Sequence, residues 1–200
     1  MLFYSIYLVL AAVIMPTEVS AQQGVQHLAL ETNLGVSSFS GDLSADHAAP
    51  TYGLTVTVGQ ARWGTSAIAN TLGGLGSMWN LSLTSISGKA KKNTSFPFNQ
   101  SQRFNALATS ISPTLCALTE APLQVCLGIG WEEFDISQTS DNEQIYGTTL
   151  WSLAAGRLLA EDLHVGVKLN YRTVTQTVLR AKSSFAALSV LLSIGWQFRT

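Results

Sequence analysis

Apolar and polar side chains alternate along most of this chain from Val25 onward. In the stretch Leu163 to Arg172, one side carries Leu163, Val165, Val167, Leu169 and Tyr171, and the other His164, Gly166, Lys168, Asn170 and Arg172. A helical period would smear these charges around a cylinder, whereas a period of two separates them completely. The C-terminal stretch sorts the same way. Leu188, Val190, Leu192, Ile194, Trp196 and Phe198 oppose Ala187, Ser189, Leu191, Ser193, Gly195 and Gln197.

Six further segments read as strands. They run from Gln26 to Ser40, Thr51 to Gln60, Ser77 to Ser87, Arg103 to Leu118, Leu123 to Phe134 and Ile145 to Leu158. In the first, Leu28, Leu30, Leu34 and Val36 share a face; in the second, Tyr52, Leu54, Val56 and Val58 do. The sixth is ambiguous, because its apolar residues fall on both faces. Tight turns are expected at Thr119–Pro122 and Ala160–Asp162. Longer polar connections are expected at Asp42–Pro50, Lys89–Gln102 and Ser137–Glu143, with Arg180–Ser183 as the last of that set. This alternation of short and long connections predicts hairpins that close into a ring, with both termini at one end. The stretch Ala61–Gly76 breaks the rule, being long where a short turn is due; it either extends its neighbouring strands or forms a short plug.

The two cysteines follow from that geometry. With a turn centred on Ala121, Cys116 lies opposite Cys126 and both carry the inward parity, which predicts a cross-strand disulfide. Such a bond persists in an oxidising compartment, and the N-terminus agrees. An apolar run from Leu2 to Met15, broken by Pro16 and followed by Val19-Ser20-Ala21, reads as a signal peptide over 1–21, although no Lys or Arg precedes it. The domain then spans 22–200.

Composition decides what surrounds the ring. Apolar residues make up 46% of the 200-residue chain and charged ones 12%, about half the usual charged share. No stretch of the mature chain approaches the ~20 apolar residues of a spanning helix. A lipocalin-type barrel would turn its apolar face inward; here the uniformly apolar face is the outer one, which would aggregate in water. The expected fold is therefore all-β, an eight-stranded antiparallel up-and-down transmembrane β-barrel. Trp79, Trp196 and Phe198 near one rim, with Tyr52, Trp131 and Tyr171 towards the other, suggest interfacial belts.

The closing segment from Val190 to Phe198 resembles the last strand of bacterial outer-membrane proteins, although Arg199 and Thr200 follow the aromatic. Ala154-Ala155-Gly156-Arg157-Leu158, with Glu161 to Val167, is similar to the penultimate hairpin of small OmpA/OmpX-like porin-family barrels. That resemblance implies a bacterial outer-membrane location, surrounding lipid and lipopolysaccharide, and insertion by the barrel-assembly machinery.

Candidate chemistry is sparse. His27, His47 and His164 are scattered, and no metal, cofactor or catalytic motif is present, so an enzyme is not expected; a lipid A-modifying activity is the remote alternative. A net charge of −1 gives no reason to expect a nucleic-acid partner. The inward charges Glu31, Glu132, Lys168 and Arg172 predict a salt-bridged lumen, or alternatively the lining of a narrow channel. Lys89, Lys91, Lys92 and Arg103, around Phe96-Pro97-Phe98, form an external basic loop suited to lipopolysaccharide phosphates or another partner. The expected role is structural or surface-interacting, with a narrow channel for small solutes as the alternative.

Overall fold

The computed structural model describes residues 25–63, 75–91, 100–118, 123–138, 143–160, 162–178 and 181–199. The expected signal peptide, most of the long connection after the second strand, and Lys92 lie outside the described residues. Eight strands follow one another: β1 (Val25–Gly41), β2 (Ala49–Trp63), β3 (Leu75–Lys89), β4 (Arg103–Leu118), β5 (Leu123–Ser137), β6 (Glu143–Leu158), β7 (Leu163–Val178) and β8 (Ala181–Arg199). Each pairs antiparallel with the next, and β8 returns to β1 to close the barrel. Closure removes the unpaired edges that lipid cannot hydrate.

The register fixes the stagger. Pairing partners lead from Ala154 through Lys168, Leu191, Gly35, Thr51, Ile86, Ala106 and Ile136, and return to β6 at Gln144 instead of Ala154. A stagger of this kind tilts the strands by about 35–45° and leaves an eight-stranded lumen just wide enough for side chains.

Strand positions match the alternation, but the strands run further. They reach 15 to 19 residues, beyond the roughly 9–11 that cross a bilayer. Residues 61–63 continue β2 and Leu75 and Gly76 begin β3, so strand extension takes up both ends of the anomalous connection. The expected Arg180–Ser183 loop is corrected: Ala181, Lys182 and Ser183 belong to β8 and pair with Val178, Thr177 and Gln176. Trp131 and Tyr171 likewise sit mid-strand, because β5 and β7 continue past them to Ser137 and Val178.

The extra length has a different pattern. Around the terminus end and the middle of the barrel, Leu30, Leu34, Leu81, Leu127, Leu153 and Leu192 point outward and are exposed. On β8 this outer face runs from Phe198 up to Leu188. At about 3.4 Å per residue and a tilt of ~40°, that run rises about 25 Å, the height of an outer-membrane hydrocarbon belt. Inside, Thr55, Ser82, Asn33, Asn80 and Thr114 face one another. Asn33 Nδ2 donates to Thr55 Oγ1 at 2.9 Å, Thr57 Oγ1 to Asn80 Oδ1 at 2.7 Å, and Asn80 Nδ2 to Thr114 Oγ1 at 2.9 Å.

Towards the loop end the two faces exchange character. The lumen fills with Phe39, Phe104, Phe134, Tyr146 and Phe185, packed with Ile86, Ile136, Val174 and several alanines. Edge contacts join Phe39 to Phe104 at 5.2 Å and Tyr146 to Phe185 at 5.5 Å. Outside, Ser38, Ser40, Asn105, Thr173 and Thr175 are exposed. Ile145 and Leu107 are exceptions, apolar residues on the outer face that both pair with Asp135 at this level. The outer third is therefore built like a water-soluble barrel on top of a membrane-spanning one. That corrects the expectation of a lumen lined only by small and charged residues.

The β1–β2 connection seals the loop end. Gly41, with φ of 93°, turns the chain through a conformation that L side chains avoid. Leu43, fully buried, then drops into the aromatic cluster. Ala45 bridges to Ala90, with Asp46 N donating to Lys89 O and Lys91 N to Ser44 O. At its start, the connection is clipped to β8 by Asp42 N donating to Ser184 O and Ser184 N donating to Asp42 Oδ2.

Candidate functional sites: the lumen charges and the basic rim

The four lumen charges form two pairs at different depths. Strand alternation turns Glu31 of β1 and Lys168 of β7 into the terminus half of the lumen, where Lys168 Nζ meets Glu31 Oε2. His164, two inward positions below Lys168 on the same strand, brings its Nδ1 to 4.0 Å from Glu31 Oε1. Its ring occupies space that a side chain on Gly156 would fill. Sequence reading singled out His164 only as one of three scattered histidines; the ring closure of β7 onto β8 and β1 is what brings it to Glu31.

Glu132 and Arg172 meet higher up, at the level where the two faces exchange character. Both are buried, at 2% and 0% exposure, and Arg172 Nε lies 2.7 Å from Glu132 Oε1. The contact is an ion pair by distance, although the N–H is not aligned along it as a hydrogen bond. Arg172 Nη1 reaches Ser189 Oγ at 3.4 Å, and the guanidinium carbon stands 5.2 Å from the Phe134 ring centroid. The pair thus joins the hydroxyl-lined part of the lumen to its aromatic part, and the stacked ring favours a cation there.

Among the described residues, two small cavities open in the lumen below this pair. One, of about 50 Å³, is bounded by Glu31, Met78, Gln124, His164 and Ser193 among others. The other, of about 30 Å³, rises past Asn33, Ser82, Ser112 and Asn170. Asn80, Cys126, Ala154 and Lys168 line both. Cys116 and Cys126 are directly paired across β4 and β5 at a Cα separation of 4.0 Å and form the expected disulfide. Met78 was not singled out by the sequence, yet its Sδ lies 3.8 Å from Cys116 Sγ. Glu31, His164 and Ser193 share a cavity without making a hydrolytic triad. His164 Nε2 is turned towards Gly156 on β6, whereas Ser193 lies on β8, across the other edge of β7.

The basic residues lie at the loop end. Lys89 and Arg103 are direct cross-strand partners at the top of β3 and β4, both exposed, and Lys91 is exposed just beyond. Like charges placed opposite one another repel, so this rim favours an anion. Beneath it on the same outer face, Ser87 Oγ donates to Asn105 Oδ1 at 2.9 Å. Asp46, exposed nearby in the β1–β2 connection, offsets one of these charges.

Solved structures with the same architecture share about a tenth of their residues with this chain. Neisserial surface protein A superposes with a TM-score of 0.58 at 10% identity, covering 86% of this chain and 97% of that one. This is the fold of the small outer-membrane barrels. Ail, the attachment invasion locus protein of Yersinia pestis, was solved in complex with the heparin analogue sucrose octasulfate. It superposes with a TM-score of 0.51 at 9% identity, covering 88% of this chain and 100% of that one. No family model matches the sequence, and no curated protein matches it.

Proposed function

We propose that this chain is a non-enzymatic outer-membrane barrel whose outer third stands in water as a rigid platform for surface interactions. On this reading the chain is exported by residues 1–21, cleaved after Ala21 and inserted by the barrel-assembly machinery. The observation that carries the reading is the exchange of faces at the level of Glu132 and Arg172. Below it the exterior suits hydrocarbon; above it the exterior is mostly polar and the lumen is filled by Phe39, Phe104, Phe134, Tyr146 and Phe185. A lumen packed with rings beneath a buried Leu43 favours an interaction role over a channel for small solutes.

The partner favoured by charge is a polyanion, such as the phosphates of lipopolysaccharide, held at Lys89, Lys91 and Arg103. Lys92, next to Lys91 in the sequence, carries a further positive charge. The structural likeness to a barrel solved with a sulfated sugar supports this choice of ligand class. Each phosphate contact of this kind is charge-assisted and weakens with salt. The test is binding of the refolded protein to lipopolysaccharide-containing vesicles, compared with the triple variant K89E/K91E/R103E. Wild-type binding that falls as salt rises, and is lost in the variant, is expected. Equal binding by both proteins would remove the rim from the role.

A further inference from the structure

Three sulfur atoms meet in the wall of the 50 Å³ cavity: Cys116 Sγ and Cys126 Sγ in their disulfide, and Met78 Sδ at 3.8 Å from the first. They come from three consecutive strands, β3, β4 and β5, and all point into the lumen. The lipid-facing surface contributes none of them. Gln124 Nε2 lies 3.7 Å from the same Met78 Sδ. Cys126 is not sealed in: its cross-strand partner on β6 is Ala154, and it is only half-buried. Cys126 and Ala154 both line the two cavities. The next residue in that inner row, Lys168, is the cross-strand partner of Ala154 and lines both cavities too.

We propose that the dithiol form of this group is a three-sulfur site for a soft monovalent metal ion, with copper(I) as the ion it takes. Two thiolates and a thioether are the ligand set that soft ions prefer, and hard divalent ions gain little from it. The disulfide is the closed form of the site. A small dithiol reaching the exposed side of Cys126 attacks its Sγ, and the S–S bond breaks through a mixed disulfide. The donor leaves as its own disulfide, having supplied two electrons and two protons, and Cys116 and Cys126 become thiols. On binding copper(I) the two thiols release their protons to solvent, and the thiolates and Met78 Sδ each contribute an electron pair. The proposal does not depend on the surface-interaction reading, since it concerns the opposite end of the barrel.

The test uses the full barrel refolded in detergent micelles, with and without a dithiol reductant, under nitrogen. Copper(I) is offered in competition with a coloured copper(I) chelator, and zinc is offered separately. Heat-modifiable migration on a denaturing gel confirms that every variant is folded. The reduced wild type is expected to retain one copper per chain, and the unreduced protein and C116S/C126S none. M78L is expected to bind about tenfold or more weakly, on the order of what even a supporting contact contributes. Copper retention no greater than that of C116S/C126S would overturn the site. So would equal affinity in M78L, or zinc held as tightly as copper.

Discussion

At Arg172 and Glu132 two charges are enclosed where the surrounding wall changes from hydroxyls to rings. Their mutual attraction offsets their desolvation only while both are present. Arg172→Ala is expected to leave Glu132 as an unpaired buried carboxylate and to destabilise the barrel by about 3–5 kcal/mol. Replacing both, as E132L/R172M, is expected to restore most of that loss, because the aromatic cluster above accepts apolar neighbours. Urea unfolding of the micelle-refolded proteins, followed by tryptophan fluorescence, measures the comparison. A single variant as stable as the wild type would show that the pair is not a structural charge pair. The parity of β5 and β7 made both residues legible as inward charges. Their partnership was not legible, because Glu132 and Arg172 lie on strands that do not pair, with β6 between them.

At the scale of the strand, length and face carry separate information. The outer-face alternation from Leu188 to Phe198 was readable because a lipid-facing surface tolerates only apolar side chains over its whole height. The upper ends were harder to read. In β6, Tyr146 and Leu150 point inward while Trp151 and Leu153 point outward, so apolar residues occupy both parities. The ambiguity of that segment is the sequence trace of the aromatic plug. The same reasoning sets the depth of the membrane. Leu127→Arg places a cation against hydrocarbon and is expected to cost about 2–4 kcal/mol. Thr175→Arg, on the outer face above the exchange level, is expected to cost almost nothing. The two are compared by reversible unfolding from lipid vesicles; equal costs would mean that the hydrocarbon boundary is not where the faces exchange.

For the molecule as a whole, the closed ring and its stagger decide what the lumen is. An eight-stranded barrel has room for side chains and little else, and here the loop half is filled by five aromatic rings and capped by Leu43. The terminus half retains small cavities beneath that closure. The protein is therefore expected to give no conductance steps when reconstituted into planar bilayers, at any polarity. Regular single-channel steps from the wild type would contradict the plug and revive the reading of the lumen charges as a channel lining. The basic rim, the plug and the disulfide sit at separate levels of one rigid ring, so changes at one level are expected to leave the others folded.

Period-two alternation, on its own, determined the strands, the outward direction of their apolar faces and the opposition of Cys116 and Cys126. All three follow from local rules: side chains alternate along a strand, and a tight hairpin fixes which residues face each other. Closure supplied what those rules do not contain. It brought β8 back to β1, set His164 beside Glu31 and Arg172 beside Glu132, and gathered Phe39, Phe104, Phe134, Tyr146 and Phe185 from five different strands into one cluster. Such neighbours are far apart in sequence and meet only through the ring's stagger, a property of the whole sheet and of no single segment.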